Sequence, residues 1–254
     1  MREWFIQRLE IPSRTVLNRK IPKKAFFTQA DLSTSEKEIF TSQIEGIYLL
    51  SVMNQQSMNS PVFQTDDYHY AEVVWIYVQL REKKNINRII SAVHKSIPNP
   101  VVLIMESSDG ETLMSTCHKR LNKHDLRKVV AEHLIVTEWF QPMESDGVYN
   151  NLMNVLTISN LSFENLFSIY DDIHQWLRCE EVISLVGSIP TSTENREKVV
   201  HILEKVQENQ RKVGQLQQEQ KVQLDFGTKM DLHIKIKRQE QQINIQLQQI
   251  REWC

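Results

Sequence analysis

The sequence has little glycine, little cysteine and no long apolar run. Its six glycines form neither a Gly-x-x-x-x-Gly-Lys-Ser/Thr loop nor a Gly-x-Gly-x-x-Gly turn, the motifs in which backbone amides cradle phosphates. The Gly-x-Ser-x-Gly elbow of serine hydrolases is missing as well. The sequence therefore gives no support to the glycine-rich classes of nucleotide-binding protein and hydrolase.

The three cysteines, Cys117, Cys179 and Cys254, are too few and too scattered for a disulfide framework. There is no Cys-x-x-Cys and no His-x-x-x-His pair, which are common spacings of zinc ligands. His118 follows Cys117 directly on a predicted strand, so the two side chains should point to opposite faces. The sequence predicts no metal ligands and no cofactor.

No segment approaches the roughly 20 apolar residues that a membrane span requires. The first residues include Arg2, Glu3 and Arg8 and lack the apolar run of a signal peptide. We therefore expect a soluble, cytoplasmic protein without membrane contact. The net charge is −2, so nucleic-acid binding would have to come from a local basic patch.

The hydrophobic pattern of residues 1–141 predicts an α/β (α+β) domain with a mixed sheet of about five strands and flanking helices. The predicted helices cover 34–45, 85–97 and a short stretch near 124–132. The predicted strands are 46–53, 71–81, 101–107, 111–118 and 133–140. The repeated strand–helix alternation of a doubly wound nucleotide-binding fold is missing.

The later part of the chain should be helical. We expect a helical connector over 142–190, including a helix over 162–178. Asp171, Asp172 and His174 form a carboxylate–histidine group there, which a helix would most simply leave as exposed polar positions.

The apolar pattern of residues 191–254 predicts a coiled-coil extension, with two helices joined at Gly227. Thirteen glutamines lie between 207 and 249, and Asn209 interrupts the heptad-like seam. The seam consists of Val199, Ile202, Val206, Val213 and Leu216, then Ile236, Ile243, Ile250 and Trp253. A strand is the rival interpretation of 231–250, because Leu232, Ile234 and Ile236 alternate, as do Ile243, Ile245 and Leu247. The abundance of Gln, Glu and Lys favours helix.

A metal-dependent nuclease is the one enzymatic hypothesis that the residues offer. Such a site needs two acids near a lysine on adjacent strands, to hold a metal ion and a water. Glu72, Glu106 and Lys119 are the candidates, and Mg²⁺ would be the cofactor. The usual Glu-x-Lys is missing from the predicted hairpin, and this favours a binding protein.

Basic residues form three clusters, of which the second and third follow predicted strands. They could converge at one end of the sheet and contact phosphates, although nearby acids such as Glu82 and Asp125 also suit ordinary surface. The clusters are Arg14 to Lys24; Arg81, Lys83, Lys84 and Arg88; and Lys119, Arg120, Lys123, Arg127 and Lys128. The candidate nucleic-acid contacts are Lys23, Lys24, Lys83, Lys84, Lys119, Arg120 and Lys123.

Three segments, IPSRTVLNRKIPKKAFF, SIPNPVVLIMES and STCHKRLN, together resemble an uncharacterised bacterial family classified as a domain of unknown function. Members combine an α/β domain with a polar coiled coil and are often encoded near helicases and DNA methyltransferases. The resemblance implies a non-enzymatic accessory protein of a DNA restriction or phage-defence system and supplies no catalytic residues. Its expected partners are a helicase or methyltransferase, DNA, and a second copy through the coiled coil.

Overall fold

The computed structural model describes residues 1–29, 32–123, 129–144 and 147–254. The chain divides into two compact units, Met1–Arg178 and Cys179–Cys254. The boundary falls inside the predicted connector, so residues 142–178 belong to the first unit. Within the described ranges, no helix has the length and apolar character needed to cross a bilayer.

The first unit is built on a six-stranded mixed sheet, and this confirms the predicted fold class. The described strands are β1 (Val16–Ile21), β2 (Ile44–Asn54), β3 (Phe63–Gln64), β4 (His69–Tyr70), β5 (Glu72–Leu80), β6 (Val101–Glu106), β7 (Thr112–Leu121) and β8 (Val129–Val136). The order in the main sheet is β1-β2-β5-β6-β7-β8, and β3 and β4 form a separate small hairpin. Among the described strands of the main sheet, the β5–β6 pair alone is parallel, and the other neighbours run antiparallel.

Helices cover the sheet and form nearly all of the second unit. Those of the first unit are α1 (Arg2–Arg8), α2 (Lys23–Gln29), α3 (Thr34–Gln43), α4 (Gln55–Met58), α5 (Ile86–Ser96), α6 (Val148–Val155) and α7 (Leu166–Arg178). Those of the second unit are α8 (Glu180–Val186), α9 (Thr193–Val222) and α10 (Phe226–Trp253). Short 3₁₀ turns cover Ser13–Thr15 and Ile158–Asn160.

Local sequence signals explain several of these elements. Ser33 and Glu36 form the capping box that starts α3. Gly110, with φ of +84°, supplies the positive φ that the tight turn between β6 and β7 requires. Strand β5 is buried along nearly its whole length, as its continuous apolar run predicted. One face of β5 and the apolar stripe of α5 belong to the same core cluster.

The structure corrects the predicted strands and helices at four places. The prediction of a helix near 124–132 is wrong for residues 129–132, which form the first half of β8. Residues 124–128 lie outside the described part of the chain. Strand β8 ends at Val136, four residues before the predicted end. The entry segment supplies a sixth strand, β1, which pairs with β2. The predicted loop over 54–70 contains α4 and the β3–β4 hairpin.

In the second unit, α9 and α10 pack side by side in opposite directions as a helical hairpin. The backbone carbonyl of Trp253, at the end of α10, accepts from Thr191 just before α9 at 3.1 Å. Asn209, the predicted polar interruption, donates to Gln246 across the hairpin at 3.2 Å. The helix prediction for 231–250 is confirmed, but the joint lies at residues 223–225, and Gly227 is inside the first turn of α10.

Lys119 is a buried lysine of β7 that supports the end of α5. Its Nζ donates to the backbone carbonyl of His94 in the last turn of that helix. Carbonyls in the last turn lack partners within the helix, and a cation is favoured at this end of the helix dipole. Burial lowers the pKa of the Lys119 amine, because it removes the water that would solvate the charge. The carbonyl at the end of α5 takes the place of that water as a hydrogen-bond acceptor.

Replacing Lys119 with Ala should therefore destabilise the protein by about 2–4 kcal/mol, because it leaves a cavity and an unbonded carbonyl. Replacing the adjacent Arg120 with Ala should cost less than about 1 kcal/mol, since Arg120 forms a partly exposed ion pair with Glu132. Urea unfolding of the two variants measures the difference. Equal losses of stability would contradict a capping role for Lys119.

Candidate functional site

The structure separates the three residues proposed for a nuclease site. Glu106 lies beside Gln79 in the β5–β6 register, and Glu72 stands seven residues earlier on β5, about 23 Å away at ~3.3 Å per residue. On β7, Thr112 pairs with Glu106, and Lys119 lies as far from Thr112 along its strand as Glu72 lies from Gln79. Because β5 and β6 are parallel and β7 runs in the opposite direction, Glu106 lies at one end of the sheet, and Glu72 and Lys119 lie near the other end.

Each of the two carboxylates also has a local partner. The carboxylate of Glu72 accepts from the Asn99 side chain at 2.8 Å, and that of Glu106 accepts from the Tyr77 hydroxyl. Burial, followed by the bond to Glu106, raises the pKa of Tyr77. Across the described ranges, no group of three or more His, Cys, Asp and Glu side chains is arranged to hold a metal ion.

Most of the predicted nucleic-acid contacts are engaged within the protein. Lys23 and Lys119 donate to backbone carbonyls, and Lys24 is exposed, with no ion pair in the described part of the chain. The other candidates pair with acids: Lys83 with Asp109 (3.0 Å) and Glu111, Lys84 with Glu82 (2.9 Å), Arg120 with Glu132 (2.5 Å) and Lys123 with Asp67 (3.7 Å).

The described residues of the second and third basic clusters do not meet; Arg127 and Lys128 of the third cluster lie outside the described part of the chain. Arg81 follows the carboxyl end of β5, whereas Lys119 and Arg120 lie toward the carboxyl end of β7, which runs in the opposite direction. The first and second clusters do approach one another. The pKa of Lys23 is lowered by burial and then by the charge of Arg81.

The polar stretch Ser115–Lys119 of β7 is buried throughout, which is unusual for such residues in a sheet. Alternation along the strand sends Thr116 and His118 toward α7, while Ser115 contacts His94 on α5 at 3.0 Å. Cys117 lies on the Ser115 face, so Cys117 and His118 point to opposite faces, as the sequence predicted. Burial raises the pKa of the Cys117 thiol, and this disfavours the reactive thiolate.

A directed chain of hydrogen bonds runs along the α7 face of this stretch. The Lys119 amide donates to the Tyr70 hydroxyl (3.3 Å), which lies 2.8 Å from His118 Nδ1, and His118 Nε2 lies 3.1 Å from Asp171 Oδ1. Because an ionised carboxylate can only accept, His118 Nε2 donates to Asp171; in the neutral form of the ring, Nδ1 is then the acceptor for the Tyr70 hydroxyl. Burial raises the pKa of Asp171, but the bonds from His118 and then Gln175 outweigh it, so the pKa lies below its usual value.

A second hydroxyl on α7 completes the support of β7. The β6–β7 ladder ends at the pair Val102 and Thr116, and beyond it Cys117 has no strand partner on that side. The Tyr170 hydroxyl accepts from the Cys117 amide at 2.9 Å and lies 2.8 Å from the Cys117 carbonyl and 3.0 Å from that of Val101. The cluster therefore satisfies backbone groups that the sheet leaves open.

Sequence reasoning missed this cluster. Asp171 and His174 were expected to be exposed on a helix, but His174 is buried against Thr116, with the two atoms 2.9 Å apart. Tyr70 fell in a predicted loop. The one available signal was the run of five polar residues in a strand that otherwise reads as apolar.

A different kind of candidate site lies at the tip of the helical hairpin. Val222, Leu224 and Phe226 are 78%, 97% and 76% exposed. Two hydrogen bonds shape the tip: the Gln223 side chain accepts from the Leu224 amide at 2.9 Å, and Asp225 caps α10 by accepting from the Thr228 amide at 2.7 Å. Three large apolar side chains are thus held in solvent within five residues, a feature typical of an interaction site.

The buried histidines predict a loss of stability in acid. Burial lowers the pKa of His94 and of His174 to about 3, so the unfolded chain binds two protons below about pH 6.5 that the folded chain does not. Their contribution is complete above about pH 6.5 and is lost as the pH falls toward 3. Between pH 5.5 and 4.5 the free energy of unfolding should fall by roughly 2.5 kcal/mol per pH unit.

Urea unfolding at several pH values measures this slope. His94→Gln and His174→Asn keep one polar atom near Nε2 and Nδ1, respectively, and each should remove about half of the slope. His69→Gln, at an exposed position, is the matched control and should leave it unchanged. A slope that survives both buried substitutions would contradict the assignment.

Comparison with known proteins adds one match. A family model described as a domain of unknown function, DUF4391, covers residues 9–243. No curated protein and no solved structure matches the chain. Because the matched range includes most of both units, the chain belongs to the DUF4391 family.

Proposed function

We propose that this protein is a non-enzymatic accessory protein that binds a protein partner through the tip of its helical hairpin. The observation that carries the proposal is the exposure of Val222, Leu224 and Phe226 on a well-capped turn. Each side chain would gain roughly 1.5–3 kcal/mol from full burial, so a partner that covers the tip recovers a substantial free energy.

The charges around the tip indicate how the partner would be recognised there. Lys221 and Lys229 flank the turn, and the Asp225 carboxylate is occupied by the amide of Thr228. The centre of a contact at the tip would therefore be apolar, and the two lysines would give its rim a positive charge.

The chemistry of the first unit supports the non-enzymatic part of the proposal. Glu106 lies far from Glu72 and Lys119, so these three residues do not form the single Mg²⁺ site that the nuclease alternative requires. The polar cluster around His118 uses its donors and acceptors to hold β7. A role in stabilising the sheet accounts for those contacts without a substrate.

Several finer parts of the proposal rest on the sequence and the family resemblance. They are the setting in a DNA restriction or phage-defence system, a helicase or DNA methyltransferase as the partner, self-association, and a cytoplasmic location. The proposal includes a coiled-coil character for the hairpin, supported by its seam and by the Asn209–Gln246 bond. A DNA contact would fall to Lys24 and its neighbours Arg19 and Lys20, because the other predicted contacts are engaged.

The tip can be tested by substituting two of its residues with serine. Leu224→Ser with Phe226→Ser should reduce recovery of the partner at least tenfold in crosslinking from the source cells, with the partner identified by mass spectrometry. The fold should survive, since both side chains are exposed.

Leu134→Ser, at an exposed apolar position of the first unit, is the matched control and should leave recovery unchanged. A partner recovered equally by the tip variant and the wild type would contradict the use of the tip. Turnover of a nucleic acid by the purified protein would contradict the non-enzymatic role.

A further inference from the structure

Helix α10 has two apolar faces. Residues two apart on a helix differ by about 200° in direction, so the alternation of Leu232, Ile234 and Ile236 places Ile234 opposite the other two. Leu232 and Ile236 are buried, whereas Ile234 is 45% exposed. One face of the helix is thus covered within the hairpin, and the other is open.

The open face continues along the helix. Met230 precedes Ile234 by four residues and Ile245 follows it by eleven, spacings that return to nearly the same direction on a helix. These two side chains are 46% and 45% exposed. We refer to Met230, Ile234 and Ile245 as the outer stripe; Phe226 of the tip begins the same helix one turn earlier.

Basic residues lie on both sides of the outer stripe: at about 100° per residue, Lys235 and Arg238 lie on one side together with Asp231, and Lys237 lies on the other, whereas Lys229 lies toward the opposite face of the helix. Residues 229–238 contain four basic residues and one acid, Asp231. Of the basic residues, Lys237 reaches Glu240 in the next turn at 2.7 Å. Lys229, Lys235 and Arg238 are exposed and form no ion pair within the described part of the chain. An apolar stripe with basic margins complements a helix whose apolar stripe has acidic margins.

We propose that the outer stripe of α10 binds an amphipathic helix with acidic flanks, supplied by the partner protein. This inference rests on the proposed function and names the chemistry of the partner. The binding mode is helix against helix, with apolar anchors at intervals of four and eleven residues. The tip lies next to the start of the outer stripe, because Phe226 and Met230 are one helical turn apart.

A second copy of this chain fits the stripe less well. Helix α9 contains five acidic and six basic residues, and α10 contains three acidic and five basic residues. Neither long helix of the hairpin has an acidic excess that would complement the basic margins. Charge therefore favours a different chain over self-association at this face.

Synthetic peptides test the inference with the full-length protein. The first probe is a helical peptide with leucines at every third or fourth position and glutamates beside them; a second carries lysines in place of the glutamates, and a third has a scrambled order. Fluorescence anisotropy at low and moderate salt measures their affinities. The glutamate peptide should bind at least tenfold more tightly than either other peptide, and salt should weaken its binding.

Two variants locate the contact. Met230→Ser with Ile234→Ser should reduce binding of the glutamate peptide at least tenfold, whereas the Leu134→Ser control should not. Lys235→Glu with Arg238→Glu should reverse the preference toward the lysine peptide. Circular dichroism and thermal melting show whether each variant keeps the helical hairpin.

Several outcomes would overturn the inference. Equal binding of the glutamate and lysine peptides, or full binding by the Met230→Ser, Ile234→Ser variant, would exclude this face as an acidic-helix site. A dimer that sedimentation detects in the wild type and not in that variant would assign the face to a second copy. If the wild-type protein does not bind the glutamate peptide but its tip-dependent partner is recovered, this inference alone is refuted; if neither is observed, the proposed function is refuted as well.

Discussion

The buried backbone of β7 beyond Thr116 imposes the central constraint on the first unit. There β7 leaves the ladder with β6, and a buried amide or carbonyl without a partner costs about as much as a lost hydrogen bond. The Tyr70 and Tyr170 hydroxyls provide the missing partners, and Lys119 extends from the same strand to the end of α5. These contacts fix α5 and α7 on opposite faces of the sheet.

This constraint changes how the perturbed residues of the first unit should be interpreted. Strongly shifted pKa values often mark catalytic sites, because catalysis needs groups that titrate near the working pH. Here burial moves the pKa values of His94, His174 and Cys117 away from neutrality, toward the uncharged forms. Such shifts suit groups that serve as fixed donors and acceptors. The exposed apolar side chains at the tip of the second unit are different, because the fold of that unit leaves them in contact with water.

Local signals predicted the elements whose causes are local. The Asp109-Gly110 turn, the Ser33–Glu36 capping box and the buried run of β5 depend on neighbours in the sequence, and the structure contains all three. Strands β1 and β8 depend on pairing with residues that are distant in the sequence. The sequence around Val129 by itself resembles a helix, and its pairing with β7 makes it a strand. The separation of Glu106 from Lys119 could not be predicted either, because strand direction decides which ends of neighbouring strands meet.

The strand-like alternation in α10 shows why one pattern can support two interpretations. Apolar residues at every second position place one face toward the core in a strand, but they place two opposite faces on a helix. Leu232 and Ile236 are buried on one face of α10, whereas Ile234 on the other face is 45% exposed. A polar residue at that position would keep the intrahelical bonds and avoid exposing a large apolar side chain to water. The presence of isoleucine there is best accounted for by a second surface that covers this face of the helix when the protein is at work.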